Sequence, residues 1–235
     1  MRALHAEWTK LRTSPGTAGL LLTLVAATAG LSATVAAACS GAACGADVAL
    51  TGVQLGHTVV AILAVLVVGN EYSTGMISVT LAAVPRRFPV LLGKAVVVAV
   101  AVAAAAAVAV AGSVLAGEAL LPGYHATLRP AVGAVLYLVL IALLSLGLAT
   151  AVRSPAAAIG TVLALLYAVP VVVAVITDPT WHDRLVKYAP VSAGLAVQST
   201  ASDPLIGPWK GLGVLALWTF AALLAGAITL QRRDA

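Results

Sequence analysis

Between Lys94 and Glu118 the chain reads KAVVVAVAVAAAAAVAVAGSVLAGE. No charge interrupts it from Ala95 to Gly117, and nearly every side chain there is Ala or Val. A helix rises 1.5 Å per residue, so about 20 such residues cross the hydrocarbon layer of a bilayer. The stretch therefore predicts a membrane-spanning helix over Lys94–Gly117. Its small side chains permit close helix approach, which places it inside a bundle.

Five further runs on either side have the same character: Gly16–Ala38, Thr51–Gly69, Pro130–Val152, Ala156–Thr177 and Lys210–Leu230. Charged residues stand at their edges and not within them. Several runs open on Pro, as at Ser14-Pro15, Arg129-Pro130, Ser154-Pro155 and Gly207-Pro208. Proline suits the first helical turn, where its missing N–H is no loss. Pro170 falls inside the fifth run and predicts a kink there.

Composition agrees. The 235 residues are 62% hydrophobic and 9% charged, whereas a soluble domain carries about 25% charged residues. A water-soluble fold of this length could not hide so many apolar side chains in one core. The net charge of +5 comes from basic residues scattered between apolar runs. They form no stripe that would fit nucleic acid. The reading is an all-α integral membrane protein, one domain over residues 1–235, with membrane lipid as its surroundings.

Six spans put both ends of the sequence on one side. That side holds Arg2, Lys10, Arg12, Arg86, Arg87, Lys94, Arg153, Arg232 and Arg233 against Glu7, Glu71 and Asp234. The other side holds Arg129, Arg184, Lys187 and Lys210 against Asp47, Glu118, Asp178, Asp183 and Asp203. Basic residues collect on the cytoplasmic face, so both termini are expected in the cytoplasm. The first apolar run is too long for a cleaved signal. The same holds for the faint lipoprotein-like Ala36-Ala37-Ala38-Cys39.

Three parts lie outside the spans. Residues 1–15 predict an amphipathic helix, with Leu4, Trp8 and Leu11 on one face, suited to the membrane surface; a solvated basic leader is the alternative. Asn70–Gly93 is far longer than a hairpin connection requires. Within it Tyr72, Met76, Val79 and Ala83 share one helical face, Pro85 stops the helix, and Arg86 and Arg87 follow. A semi-apolar cytoplasmic helix of this kind buries its face on the membrane or on a partner. The third part, Asp178–Trp209, carries Trp181, Tyr188 and Trp209, with Tyr188–Ser199 as a candidate short helix at the outer mouth.

These residues resemble the permeases of the actinobacterial ABC-2 exporter family. The likeness is carried by Glu7-Trp8-Thr9-Lys10-Leu11-Arg12-Thr13, by Glu71-Tyr72-Ser73-Thr74-Gly75-Met76-Ile77 with Leu81-Ala82-Ala83-Val84-Pro85-Arg86-Arg87, by Tyr188-Ala189-Pro190 and by the Arg232-Arg233-Asp234-Ala235 ending. The second stretch is the most specific. The resemblance implies an elbow helix at 1–15, a coupling helix from Glu71 to Arg87 that docks on a separate cytoplasmic ATPase, and short outer helices between spans five and six. It implies two permease subunits, a homodimer by expectation, with two ABC ATPase subunits in a bacterial plasma membrane. Within the coupling segment, Glu71 pairs with a basic ATPase residue or caps the helix N-terminus. Gly75 permits close contact, and Tyr72, Met76 and Val79 fill an ATPase groove. Arg86 and Arg87 serve either the ATPase or lipid headgroups.

The chain holds no ATP site of its own. Gly93-Lys94 lacks the Gly five residues earlier, where Phe88 stands, and no Ser or Thr follows. ATP and Mg are therefore expected on the partner, and Lys94 reads as an interfacial anchor. Neither a His-Glu-x-x-His pair nor a Gly-x-Ser-x-Gly elbow is present, so no enzymatic activity and no cofactor are expected here. Gln54 and His57 lie in the second span one turn apart. They either line a substrate path or hydrogen-bond a neighbouring helix. Cys39 and Cys44 flank Ser-Gly-Ala-Ala in the first outer loop, and a local disulfide or two unpaired thiols both fit. With no Asp, Glu, Lys or Arg in the middle of a span, an ion-coupled carrier is disfavoured and an apolar or amphipathic cargo is expected. A partner-independent channel or carrier and a non-transporting scaffold or immunity protein are the rival readings.

Overall fold

The computed structural model describes residues 7–10, 13–39, 46–76, 87–121, 124–199 and 205–232. Every regular element among them is helical. Six helices are long and apolar enough to cross a membrane. They are α1 (Pro15–Ala38), α2 (Val53–Ser73, extended back to Asp47 by a helical turn), α3 (Arg87–Leu120), α4 (Leu128–Val152), α5 (Pro155–Val175) and α8 (Pro208–Arg232). Two short helices, α6 (Pro179–Tyr188) and α7 (Pro190–Leu195), join α5 to α8.

The chain starts its helices as its prolines dictate. Pro15, Pro155, Pro179 and Pro190 occupy the first turns of α1, α5, α6 and α7. Asp178 caps α6, its carboxylate accepting from the amides of Thr180 (2.8 Å) and Trp181 (3.1 Å). At Pro170 the structure answers with a π-helical turn over Ala164–Ala168. Proline offers no N–H to the carbonyl four residues back and its ring crowds that carbonyl, so the preceding turn widens to make room.

α2 and α4 form the centre. α2 packs on α1, α3, α4 and α5, while α4 packs on α2, α3, α5 and α8. The Ala/Val helix, expected inside the bundle, is buried there on one face only. α3 packs on α1 and α4 with one face and exposes Val96, Val100, Val108 and Leu115 on the other. Alanine and valine are no worse solvated by lipid than by protein, so small size permits burial without requiring it.

α4 and α8 approach closely at two glycines. A Cβ at Gly147 would lie 2.5 Å from the carbonyl carbon of Ala222, and one at Gly226 would lie 2.8 Å from the Gly147 carbonyl oxygen. Those backbones meet because both positions lack a side chain. α1 meets α2 in the same way at Gly52 and Gly56, which rest on Thr28.

The helix ends sort into two sets. The start of α1, the end of α2 and the start of α3 share one cavity. At that same end, Gly69 of α2 meets Pro155, and Arg153 bonds Thr229 of α8. At the opposite end the Ser32 hydroxyl accepts from the Gly52 amide, and Arg129 donates to the Ser199 carbonyl. The spans thus alternate in direction. A broad girdle of exposed apolar side chains, including Leu22, Val175, Leu217 and Phe220, surrounds the bundle, as a lipid-facing surface would.

The packing makes a direct prediction. Gly147→Val should lower the thermal unfolding midpoint of the detergent-solubilised protein, with a loss of at least about 1–3 kcal/mol from overpacking. Gly213→Val, on α8 with nothing within 4 Å of the new Cβ, should leave it nearly unchanged. Equal midpoints for the two variants would contradict the α4–α8 contact.

Candidate functional site

The most unusual chemistry is a cluster of four charges where α1, α2 and α3 converge. Lys94, seven residues into α3, is 3% exposed. Its ammonium donates to Glu71 Oε1 at 2.6 Å and to Glu7 Oε2 at 2.8 Å. Lys10 completes the set, reaching Glu71 Oε1 at 3.0 Å and Glu7 Oε1 at 3.3 Å. Glu71 closes the last turns of α2, and residues 7–10 are helical. Two carboxylates therefore face two ammonium groups, a neutral set. Removing charges from water is expensive unless they are paired at close range, and all four are. At Lys10, partial burial alone would lower the pKa. The hydrogen bond Lys10 donates to Glu71 and the charges of Glu7 and Glu71 outweigh it and raise the value above the ordinary lysine range.

Two features lie near this cluster. A cavity of about 350 Å³ opens beside it, with Leu20, Leu63 and Val97 among its walls. Arg153 takes a left-handed conformation (φ 64°) at the end of α4. Its guanidinium donates to the Thr229 carbonyl at 2.9 Å and lies 5.8 Å from the Tyr72 ring centre, a cation–π contact.

The structure distributes the residues singled out by sequence as follows. Glu71 is buried in the cluster, with its Oε1 taken by two lysines, and it lies at the C-terminal end of a spanning helix rather than at the start of a separate one. Tyr72 belongs to the same last turn of α2, half-buried under Arg153. α2 ends at Ser73, and Gly75 has φ 68°. The helical face expected to run unbroken from Tyr72 to Met76 is therefore interrupted, because a left-handed residue cannot continue a right-handed helix. Met76 is exposed. Val79 and Arg86 lie outside the described residues, as does the rest of the expected coupling helix. Arg87 begins α3, and its side chain also lies outside them. Phe88-Pro89-Val90-Leu91-Leu92 continues α3 toward its start, so Lys94 stands inside a helix and not at its edge.

Nearer the opposite end, His57 is buried on α2, and its Nδ1 lies 3.2 Å from the Tyr137 hydroxyl of α4. The Tyr167 ring of α5 is 5.5 Å from the imidazole, and its hydroxyl bonds that of Thr58. His57 Nε2 has no hydrogen-bond partner among the described residues. Gln54, one turn earlier on α2, is exposed. Cys39 is engaged in a disulfide; Cys44 lies outside the described residues.

No family model matches the chain, and no curated protein matches it either. The geometry must carry the functional argument alone.

Sequence reasoning missed the partners of Glu71 and His57. Glu7 and Lys94 are 64 and 23 residues from Glu71, and helix periodicity says nothing across such distances. One signal was available: Glu7, Lys10, Glu71 and Lys94 fall on the same side of the membrane by span alternation, with balanced charge.

A double-mutant cycle tests the cluster. Lys94→Met leaves two buried carboxylates with one lysine and should destabilise the detergent-solubilised protein by about 3–5 kcal/mol. Adding Glu71→Leu should recover a large part of that loss, a non-additivity readable in the thermal midpoint. Additive losses would show that Glu71 and Lys94 do not act as a pair.

Proposed function

We propose that this chain is the membrane-spanning subunit of an ATP-driven exporter, with ATP and Mg bound by a separate ABC ATPase that docks on the segment between α2 and α3. The observation that carries this reading is the Glu71–Lys94 pair. Residues 74–86 leave α2 just after Glu71 and enter α3 just before Lys94, and those two side chains are bonded at 2.6 Å. A push on that segment would reach both helices together, and α2 touches α1, α3, α4 and α5. Exposed Met76 offers the partner an apolar contact, while Glu71 acts from within as an internal strut. The strut role replaces the direct ATPase contact that its position in the motif implied.

The exposure pattern supports a second permease copy. α1 and α5, which both pack on α2, are the least buried spans, each 22% buried against 61% for the α2 span. A partner on this face would cover Gln54, Thr58 and Tyr167, polar groups that could line a shared path. Amphipathic or apolar cargo suits such a wall. On this reading the basic, charge-cluster end faces the cytoplasm of a bacterial cell, and the leader lies on that surface as an elbow.

The test uses the permease reconstituted in liposomes with the ATPase encoded beside it. Met76→Glu should leave the complex assembled and ATP hydrolysis near the wild-type rate. Export should fall at least about tenfold, as expected when a charge replaces a buried apolar contact. Tyr72→Ala is a poorer probe, because it also removes the Arg153 contact. Transport driven by an ion gradient without any ATPase would replace this reading with that of a carrier.

A further inference from the structure

The cavity between α1, α2 and α3 is graded like one leaflet of a bilayer. Its uncharged polar walls stand at the helix ends, with Ser14 and Thr17 where α1 starts and Asn70 and Thr74 where α2 stops. Deeper along each helix the walls turn apolar, with Leu20 of α1, Leu63 and Val67 of α2 and Val97 of α3. α1 rests on α2 through Thr28 at Gly52 and Gly56, but a Cβ on Gly16, in the cavity wall, would meet nothing within 4 Å. The two helices therefore leave room at this end. The volume of about 350 Å³ lies at the lower end of the range for small-molecule sites, roughly 300–1,000 Å³, and suits one chain with a small head.

The chemistry of the polar end selects an uncharged head. Glu7, Lys10, Glu71 and Lys94 also line it, and they pair with one another as a neutral set at distances between 2.6 and 3.3 Å. A cation or an anion entering here would give up water and meet no unbalanced charge in return. The neutral side chains are differently placed. Ser14 precedes α1 but makes no capping bond with its hydroxyl. The side chains of Thr17 and Asn70 have no hydrogen-bond partner among the described residues. A hydroxyl and a carboxamide can each donate and accept. A head that itself carries hydroxyls can answer both roles at once.

We propose that this cavity binds an uncharged amphiphile whose hydroxyl head hydrogen-bonds Thr17 and Asn70 while its apolar chain lies along Leu20, Leu63 and Val67. The orientation matches that of the surrounding leaflet, head at the helix ends and chain inward. The shared chemistry is a free hydroxyl on a glycerol-like head with an acyl chain. It can come from a bilayer glycerolipid without a phosphate or from a smaller single-chain amphiphile. The site requires neither an ATPase nor transport, so it stands apart from the exporter reading.

The full chain is placed in phosphatidylcholine nanodiscs, whose lipid has no hydroxyl to compete. It is photolabelled with monolauroylglycerol that carries a diazirine in its chain. Labelling should saturate and should map to peptides holding Leu20 or Val67. Unlabelled monolauroylglycerol should displace the probe. Its dimethyl ether, with the same shape and no donor, should do so at least about fivefold more weakly for want of hydrogen bonds. Laurate and dodecyltrimethylammonium, one anionic and one cationic, should be at least about tenfold weaker. The double variant Thr17→Val/Asn70→Leu removes the neutral partners and no charge, and labelling should fall at least about fivefold. Val67→Phe fills the apolar end and should abolish it, and Leu20→Phe does so from the opposite wall should the first variant not fold. Displacement by dioleoylglycerol at the same mole fraction assigns the site to a bilayer lipid, and displacement by single-chain forms alone assigns it to a smaller amphiphile. Labelling that does not saturate, equal competition by the dimethyl ether or by either charged amphiphile, or full labelling of a folded Thr17→Val/Asn70→Leu, Val67→Phe or Leu20→Phe protein would overturn the proposal.

Discussion

Lys94 sets the terms for one whole end of this molecule. An ammonium seven residues inside an apolar helix has lost most of its water, and the idealised penalty for that transfer is of order 20 kcal/mol in a dry medium. Only counter-charges at contact distance make the position tolerable. Glu71 and Glu7 supply them at 2.6 and 2.8 Å, and Lys10 then balances the second negative charge. Four side chains from three separated stretches must therefore converge before any one of them is stable. That requirement fixes the end of α2 against the start of α3 and draws the leader in over both.

Away from that end, charge has little part in the packing. Lipid tails solvate Leu and Val as well as a neighbouring helix does, so burial alone cannot drive the spans together. Close backbone approach and buried hydroxyls do so instead. Gly147 and Gly226 bring α4 against α8, where the Thr219 hydroxyl lies 3.2 Å from the Leu140 carbonyl. Thr28 and Ser32 hold α1 on α2. Arg153 is the counterpart of Lys94 on the other flank of α2. Its left-handed backbone ends α4, its head bonds α8 at Thr229 and covers Tyr72, and Pro155 starts α5 immediately beyond.

The helical layout was legible in the sequence because each part of it is local. Length of the apolar run, edge charges and first-turn prolines are read residue by residue, and the six spans fall where those features put them. The π-helical turn before Pro170 was legible in kind but not in form, since a missing N–H dictates a disturbance and not how the helix absorbs it. The candidate site was much less accessible. Lys94 reads as a membrane-edge anchor when Phe88–Leu92 is taken as loop, and only the folded helix shows that it is buried. Glu71 reads as a surface residue when Tyr72 and Met76 are taken as one face, and Gly75 ends that face. Tyr137 and Tyr167 look like ordinary apolar-run aromatics until α4 and α5 carry them to His57. In each case the deciding contact spans tens of residues, beyond any periodic pattern.

The two ends of the bundle differ in how they are held, and the difference has mechanical weight. At one end the spans are joined through charged side chains whose bonds are strong but few. At the other, α6 and α7 fold over the helix ends through main-chain acceptors: Trp218 donates to the Tyr188 carbonyl, Arg129 to Ser199 and Ser192 to Val186. Main-chain contacts of that kind tie a cap firmly to α4 and α8. α5 stands apart from both arrangements. Its start is seated by Pro155 against Gly69, and its second half reaches the bundle through Tyr167 at Thr58 and His57. Beyond those contacts it faces an apolar groove of about 540 Å³ shared with α4 and α8. α2, clamped at Glu71, meets α5 mainly through the first part of that helix, Pro155–Leu163. The α4–α8 pair, by contrast, is locked glycine to backbone.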